Sequence, residues 1–140
     1  MEKGYIVIKR IAKEDTWEIR HKVMWPDYPF DFIKLKKDQM GTHYGLFNDE
    51  KLVSVISIVI NEKGAQFYKF ATLDEYQGKG LGSQLLTFIF EQLQVKKIKR
   101  VWCNSRENKV NFYKKFGMRE TGEVFEKMGK RYIVMETECI

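Results

Sequence analysis

The segment of residues 76–83, which reads YQGKGLGS, constrains this chain more than any other stretch. It follows a β-rich run at residues 66–73 and precedes apolar residues at four-residue spacing, which predict an amphipathic helix ending near Val95. The start of a helix after such a turn carries unpaired N–H groups, and these groups and the helix dipole favour an anion. Lys79 adds positive charge beside them. The turn therefore predicts a site for a phosphorylated ligand such as a pyrophosphate.

Two familiar phosphate-binding loops do not match this turn. A Walker loop needs Ser or Thr after its Gly-Lys pair, whereas Gly80 follows Lys79 here. A dinucleotide-binding Gly-x-Gly-x-x-Gly would end on Ser83 or Leu85 instead of glycine. What remains is Gln-x-x-Gly-x-Gly, which begins at Gln77. The competing interpretation, that the glycines only shape a tight turn, is disfavoured because each glycine inside a helix costs ~1 kcal/mol.

The Gln-x-x-Gly-x-Gly sequence at Gln77, set between a strand and a helix, resembles motif A of the GNAT superfamily of N-acetyltransferases that depend on acetyl-coenzyme A (acetyl-CoA). Residues 108–118, NKVNFYKKFGM, are similar to motif B, where a Phe-Tyr pair on a helix precedes a glycine and a hydrophobic residue. Residues 20–26 and 43–45 resemble a group of small bacterial GNAT proteins. The order of elements agrees along almost the whole chain.

The resemblance implies an acyltransferase that moves an acetyl group directly from acetyl-CoA to a primary amine of a small molecule or a peptide. Backbone at the end of the strand before the turn would pair with the pantetheine arm, and the amides of the turn would hold the pyrophosphate. The cofactor-binding residues implied in this way are Ala71, Thr72, Leu73, Gln77, Gly78, Lys79, Gly80, Leu81, Gly82 and Ser83. No covalent enzyme intermediate is needed, so Cys103 is expected to be a buried strand residue.

The reaction also needs groups that move protons. A protonated alkylamine has a pKa near ~10.4, so about one molecule in a thousand can attack at neutral pH. The sequence offers Glu75, His43 or a water relayed through Asn104 as the base and does not choose among them; His43 and Asn104 are also the candidate substrate contacts. On the leaving side, the resemblance implies that Tyr113 is the general acid that protonates the CoA sulfur. Without the motif, its apolar neighbours would favour a core tyrosine.

Some positions depart from the family pattern or receive a packing role. Arg106 stands where many GNAT proteins have an Asn that touches the cofactor arm, and Lys109 replaces a small residue. Cofactor contacts are therefore not carried over to these two positions. Arg20, Trp25 and the basic run at residues 96–100 are interpreted as packing and solvated surface.

The length of 140 residues fits one domain, which we expect to span residues 1–140. No apolar run reaches the ~18 residues of a membrane helix, and the N-terminus lacks a signal-peptide pattern. These observations predict a soluble cytoplasmic protein. Cys103 and Cys139 match neither a disulfide framework nor a zinc spacing, and His21 and His43 do not complete a metal set. We expect reduced thiols and no metal.

The charge balance is basic, with 25 Lys and Arg against 19 Asp and Glu and a net charge of +6. This balance favours an anionic partner, such as a phosphorylated cofactor or nucleic acid. Two hypotheses stay open beside the acetyltransferase: a non-catalytic domain that binds or senses acyl-CoA, and a nucleic-acid-binding domain. Only the charge supports the nucleic-acid-binding hypothesis, because no aromatic-rich basic motif accompanies that charge. A homodimer is compatible with the sequence.

The periodicities predict an α/β (α+β) domain with a mixed central sheet of about six to seven strands flanked by helices. Parallel pairing is expected around each helical crossover. Antiparallel hairpins are predicted from residues 42–47 to 52–60 and from residues 118–126 to 132–138. Helices are predicted at residues 15–23, 82–95 and 107–116, with a single helical turn at residues 32–36.

Overall fold

A seven-stranded β-sheet organises the computed structural model, which describes residues 4–138. Its long strands are rich in β-branched and aromatic residues, which fit a pleated, half-buried surface. The strands are β1 (Ile6–Ile11), β2 (Thr42–Asn48), β3 (Lys51–Asn61), β4 (Gly64–Thr72), β5 (Arg100–Arg106), β6 (Arg119–Lys127) and β7 (Lys130–Glu138). The helices are α1 (Trp17–Met24), α2 (Leu81–Val95) and α3 (Val110–Lys114).

The short helical pieces differ most from the sequence prediction. The region between α1 and β2 contains two 3-10 turns, Phe30–Ile33 and Lys36–Gln39, where a single turn at residues 32–36 was expected. The helix predicted over residues 107–116 is divided into a 3-10 turn, Glu107–Lys109, and α3. The chain leaves α3 through Gly117, whose φ of 84° is in the left-handed region that glycine adopts without strain.

The strand order is β1-β2-β3-β4-β5-β7-β6, and β4 with β5 is the parallel pair in an otherwise antiparallel sheet. The mixed α/β sheet and both predicted hairpins are confirmed. Parallel pairing holds around the α2 crossover and is wrong for the α3 crossover, because β7 lies between β5 and β6. β7 buries Ile133, Val134 and Met135, whereas β6 is exposed along almost its whole length. The apolar strand therefore takes the inner position and the polar strand the edge.

The two faces of the sheet carry different helices. Tyr44 of β2 packs edge-on against Phe88 of α2, with ring centroids 5.7 Å apart. The adjacent residue His43 points to the opposite side of the strand, where it contacts Ser57 of β3. On that side Arg20 of α1 also bonds Ser57. We therefore call the two sides of the sheet the α2 face and the α1 face.

The parallel strands β4 and β5 form a fork. They pair only at Ala65 with Val101 and at Gln66 with Trp102, near the start of each strand. Further along, a bulge in β4 includes Lys69, whose φ of 52° is in the left-handed region. Beyond the paired residues the edge of β4 has no neighbouring strand from residues 4–138, so the described sheet is open toward the carboxyl ends of β4 and β5.

Candidate functional site

A cleft of about 680 Å³ occupies the fork between β4 and β5. Its wall includes Phe67 and Tyr113 from the α2 face and Trp25 and Tyr68 from the α1 face. Phe67 contacts Tyr113 of α3 with ring centroids 5.6 Å apart, so α3 lies on the α2 face. Because the cleft passes through the sheet, ligands bound on opposite faces can meet inside it.

The glycines of the turn before α2 serve two purposes. Gly80 is the N-cap of α2 with a φ of 80°, and Gly78 has a φ of 76°. A Cβ at either position would meet no atom within 4 Å, so the turn is open in front of both. At Gly82 a Cβ would lie 3.3 Å from Phe70 Cζ and from Thr72 Oγ1. Two glycines therefore permit the left-handed turn, and the third lets α2 approach β4 closely.

The first turn of α2 presents unpaired backbone donors. The N–H of Gln84 donates to the N-cap carbonyl at 3.0 Å, and no side chain caps the helix. The N–H groups of Leu81, Gly82 and Ser83 precede this bond and lack an intrahelical acceptor. Lys79 is exposed next to them. The turn thus combines donors, a helix dipole and a cation, which suits a phosphate group.

Gln77 fastens this turn to the end of β4. Its Nε2 donates to the carbonyl of Thr72 at 2.8 Å and to Oδ1 of Asp74 at 3.1 Å. Its backbone N–H donates to the carbonyl of Asp74 at 3.2 Å. The N–H groups of Gln77 are therefore engaged within the protein, and they fix the position of the turn relative to the strand.

The end of β4 has an unpaired edge that faces the fork. Leu73 donates its N–H to the carbonyl of Val53 at 2.9 Å. The carbonyl of Ala71 accepts a bond from the Ser54 hydroxyl at 3.1 Å. Both residues thus direct backbone groups toward β3, and since successive strand residues alternate, the backbone of Thr72 faces the fork. Of the three strand residues predicted to pair with the cofactor, Thr72 is the one whose backbone faces the fork.

Tyr113 of α3 is 8% exposed and lines the cleft. Its ring contacts Phe67 and Phe112. Within residues 4–138 its hydroxyl makes no hydrogen bond. Burial raises the pKa of its phenol above the usual value, and the neighbouring Cys103 raises it further, so the phenol keeps its proton at neutral pH. Cys103 is itself buried in β5, as expected, and burial raises the pKa of its thiol.

The three residues predicted to accept or relay the proton of the amine lie in different environments. Asn104 is exposed on β5 and lines the cleft. Glu75 is exposed in the 3-10 turn after β4 and is not part of the cleft wall. His43 is buried, with Nδ1 2.6 Å from Ser57 Oγ and Nε2 2.9 Å from the carbonyl of Asp38. Both ring nitrogens of His43 are occupied within the protein, away from the cleft.

A buried ion pair on the α1 face was missed by the sequence interpretation of Arg20 as packing or surface. Arg20 is completely buried and forms two bonds with the Asp38 carboxylate, at 2.7 and 3.0 Å. It also donates to Ser57 Oγ at 2.8 Å, and the Tyr68 hydroxyl donates to Asp38 Oδ1 at 2.6 Å. These bonds fasten the two 3-10 turns after α1 to the sheet beside the cleft.

The spacing of apolar positions in α1 contains a signal for this network. Thr16, Ile19 and Val23 lie at the i, i+3 and i+7 positions of one helix face, and Arg20 occupies the i+4 position between them. A charged residue on an otherwise inward stripe needs a buried partner of opposite charge. That partner, Asp38, is the acidic residue in the lysine-rich segment 34–39.

Cations surround the Trp25 ring on the α1 face of the cleft. Trp25 is 3% exposed, which confirms its packing role, and it also lines the cleft. The distances to its ring centroid are 5.7 Å from Lys69 Nζ, 5.1 Å from Arg106 Cζ and 5.5 Å from Lys130 Nζ. Burial and the surrounding cations lower the pKa of Lys69 to about 8. Arg106, the departure from the family pattern, also donates to the carbonyl of Met24 at 3.3 Å.

A family model and a curated relative agree on the family. The family model for the GNAT acetyltransferase domain matches residues 21–139. An uncharacterized N-acetyltransferase of Bacillus subtilis (strain 168), YitI, is 33% identical over 138 residues, which cover 91% of this chain and 93% of YitI. The chain therefore belongs to the GNAT acetyltransferases, a family that uses acetyl-CoA, and it is an enzyme of the acyltransferase class.

Solved structures share the fold at low sequence identity. The ribosomal-protein-S18-alanine N-acetyltransferase of Escherichia coli has a TM-score of 0.80 at 15% identity, over 96% of this chain and 94% of that chain. A GNAT family acetyltransferase of Elizabethkingia anophelis with acetyl-CoA bound has a TM-score of 0.76 at 16% identity, over 95% and 97%. These likenesses confirm the GNAT fold.

Within residues 4–138 no helix is long and apolar enough to cross a membrane. The same residues contain no group of three or more His, Cys, Asp or Glu side chains placed to hold a metal ion.

Proposed function

We propose that this protein transfers an acetyl group from acetyl-CoA to a primary amine inside the forked cleft. The observation that carries the proposal is the meeting, at one fork, of an anion-binding turn, an unpaired strand edge and a protonated tyrosine. The turn and the edge are on the α2 side of the cleft, and the α1 side is available to the acceptor. Members of the family take the acetyl group from acetyl-CoA, and the residues present fit that molecule.

The backbone would hold acetyl-CoA at two places. The N–H groups of Leu81, Gly82 and Ser83, with Lys79 beside them, would bind the pyrophosphate. The open space in front of Gly78 and Gly80 leaves room for it. The edge of β4 at Thr72 would pair with the extended pantetheine arm, as an added strand does. The three N–H groups of α2 lack intrahelical acceptors, and at Thr72 the N–H faces the fork, while the Thr72 carbonyl already accepts a bond from Gln77 Nε2.

The side chains of the cleft would then move protons. When bound, acetyl-CoA supplies the thioester that the amine attacks. Tyr113 would donate its phenolic proton to the departing sulfur and recover a proton from solvent, a role supported by its position in the wall of the cleft. Asn104 would orient a water that accepts the proton of the amine. Neither role requires a covalent bond to the enzyme.

The test of the Tyr113 role is the Tyr113→Phe variant, which keeps the ring and removes the hydroxyl. We expect unchanged acetyl-CoA binding and a kcat lower by about a hundredfold, the size of a general-acid contribution. The matched control is Tyr44→Phe, because Tyr44 is equally buried and outside the cleft. An undiminished kcat in Tyr113→Phe would remove the phenol from the mechanism.

A non-catalytic acyl-CoA-binding domain is the second candidate. It is favoured by the chemistry of the described cleft wall, which includes no histidine and one carboxylate, that of Asp74, already bonded to Gln77. Stabilisation by acetyl-CoA together with no acetylation of any amine tested would favour this candidate. Acetylation of an amine that depends on Tyr113 would exclude it.

A further inference from the structure

We propose that the acceptor is an amine that also carries a carboxylate or a phosphate, and that the cations around Trp25 bind this anionic group. The inference deepens the proposed function and rests on it, since it assigns the acceptor to the α1 side of the cleft. We call Lys37, Lys69, Arg106, Lys127 and Lys130, all of which face this side, the cation cluster.

The cation cluster comes from five separate segments. Lys69 projects from β4 and Arg106 from β5, the two strands of the fork, and both approach Trp25. Lys130 approaches the same ring from the start of β7. Lys37, from the second 3-10 turn after α1, lies 4.1 Å from the centre of the Tyr68 ring. The last member lines the cleft from β6, where Lys127 follows Phe125 on the cleft side of the strand. Convergence of distant segments on one cleft indicates a built site.

No carboxylate within residues 4–138 forms an ion pair with a member of the cluster, although Asp38 lies near enough to Lys37 to attract its charge. The eight ion pairs in this part of the chain involve other cations, and none includes a member of the cluster. The nearest candidates are already engaged, since Asp38 is bonded by Arg20 and Tyr68, and Asp74 is bonded by Gln77. The cluster therefore has unsatisfied positive charge that an anion would compensate.

The energetics of the cluster support a bound anion. Burial, followed by repulsion from neighbouring cations, lowers the pKa of Lys69, and burial is also the main reason that the pKa of Lys37 is lowered. Two buried donors beside the cleft, Trp25 Nε1 and Arg106 Nε, have no hydrogen-bond partner among the described residues. Cations held together and donors without acceptors both cost stability unless a ligand satisfies them.

The phosphates of acetyl-CoA are not the anion that this cluster would serve. The glycine turn starts α2, on the α2 face, whereas Lys37 and Lys69 contact Tyr68 and Trp25 on the α1 face. The pyrophosphate has its own donors in the turn. The cluster is thus on the acceptor side, and its charge would repel polyamines and other polycationic amines.

Primary amines of matched length test the inference in an acetyl-transfer assay. δ-Aminovalerate carries a carboxylate opposite the amine, pentylamine a methyl group and cadaverine a second ammonium; phosphoethanolamine tests a phosphate. We expect the kcat/KM for the better of the two anionic amines to exceed that for pentylamine by about tenfold, with cadaverine the poorest. The readout is acetylated product, measured by mass spectrometry.

Charge reversal at Lys127 supplies the matched variant, because this side chain is exposed and its replacement leaves the core intact. In Lys127→Glu the KM for δ-aminovalerate should rise about tenfold relative to the KM for pentylamine. Lys63→Glu is the control: it makes the same change in net charge at the exposed turn between β3 and β4, at the closed end of the fork. It should change neither KM.

A non-reacting ligand separates failure of the inference from failure of the proposed function. Valerate, which has the carboxylate and no amine, should stabilise the wild type in a saturable thermal shift that Lys127→Glu weakens. Preference for pentylamine or cadaverine would overturn the inference and leave the acetyltransferase function standing. If no amine is acetylated, the proposed function is contradicted, and a missing valerate shift then overturns the anion site as well.

Discussion

The two sides of the cleft are built in different ways. The α2 side offers backbone groups from one contiguous stretch, the glycine turn and first turn of α2, together with the adjoining end of β4. The α1 side offers side chains from α1, the 3-10 turns, β4, β5, β6 and β7. A ligand common to a whole family can be held by the first kind of site. A ligand particular to one protein needs the second kind.

The α1 side also contrasts two uses of positive charge. Arg20 is fully buried and bonded to Asp38, so its charge is compensated inside the protein. Lys69 is in the cleft with cations as its neighbours and no carboxylate partner within the described chain. The first charge stabilises the wall of the cleft, and the second is available to a ligand. Substitutions on each side should therefore separate cofactor binding, stability and acceptor selection.

The largest effect is expected from Gly80→Glu. A glutamate at a φ of 80° strains the turn, and its carboxylate repels the pyrophosphate. The wild type should gain roughly 2.7 kcal/mol of stability from acetyl-CoA at ~100 times the dissociation constant. The variant should gain almost none, as measured by thermal shift.

The control for backbone strain is Gly122→Glu in β6. Gly122 has a φ of 94°, and a Cβ there would meet no atom within 4 Å, so the substitution imposes the same kind of strain far from the turn. Its acetyl-CoA shift should equal that of the wild type. An equal loss in both variants would mean that strain, and not the anion site, explains the result.

The second effect is on stability and concerns the wall of the α1 side. Arg20→Met leaves the Asp38 carboxylate buried without its ion-pair partner, which should lower the free energy of unfolding by about 3–5 kcal/mol. The double variant with Asp38→Leu should recover a large part of this loss, because no uncompensated charge remains. Urea denaturation measures the free energy of unfolding of the single and the double variant. A double variant as unstable as the single one would contradict the assigned pairing.

The pair of Arg20 and Asp38 also predicts that stability depends on pH. Burial alone would raise the pKa of Asp38, but hydrogen bonds from Arg20 and Tyr68 outweigh it and hold the pKa below the usual value. A carboxyl with a lowered pKa in the folded state contributes stability above its unfolded pKa, which is lost as the pH falls through the folded pKa. Wild-type stability should thus decline below about pH 4. Asp38→Asn should remove this part of the decline.

The smallest effect concerns the titration of Lys69. Its pKa of about 8 means that its ammonium is present at neutral pH and is lost as the pH rises. The charged groups that face the Lys69 ammonium are the cations Lys37, Lys127, Arg106 and Arg20. Valerate should inhibit the acetylation of δ-aminovalerate by competing for the cation cluster. This inhibition should weaken about two- to fivefold between about pH 7 and about pH 9. Lys69→Arg keeps its charge and should show a flatter profile; an equally steep one would exclude Lys69.

Local patterns in the sequence point to more of the proposed cofactor side than of the proposed acceptor side. The turn at Gly80 and the helix after it depend on residues close in sequence, so their spacing alone indicates an anion site. The side of β4 to which each backbone group points could not be predicted from the sequence, because it depends on the pairing register with β3. This register separates Thr72 from Ala71 and Leu73.

The acceptor side depends on contacts between residues far apart in sequence. Arg20 and Asp38 are separated by 18 positions and meet only when the 3-10 turns pack on the sheet. The position of β7 between β5 and β6 likewise follows from burial in the finished sheet and brings Lys130 to Trp25. A pattern within a single element contains no information on either contact.

Steady-state kinetics with acetyl-CoA and δ-aminovalerate both varied would test the division of the cleft most directly. The proteins are the wild type, Gly80→Glu and Lys127→Glu. The account predicts that Gly80→Glu raises the KM for acetyl-CoA and Lys127→Glu raises the KM for δ-aminovalerate, each with little effect on the other substrate. An increase in the KM for acetyl-CoA in Lys127→Glu as large as that in Gly80→Glu would contradict it, since the cations would then serve the cofactor.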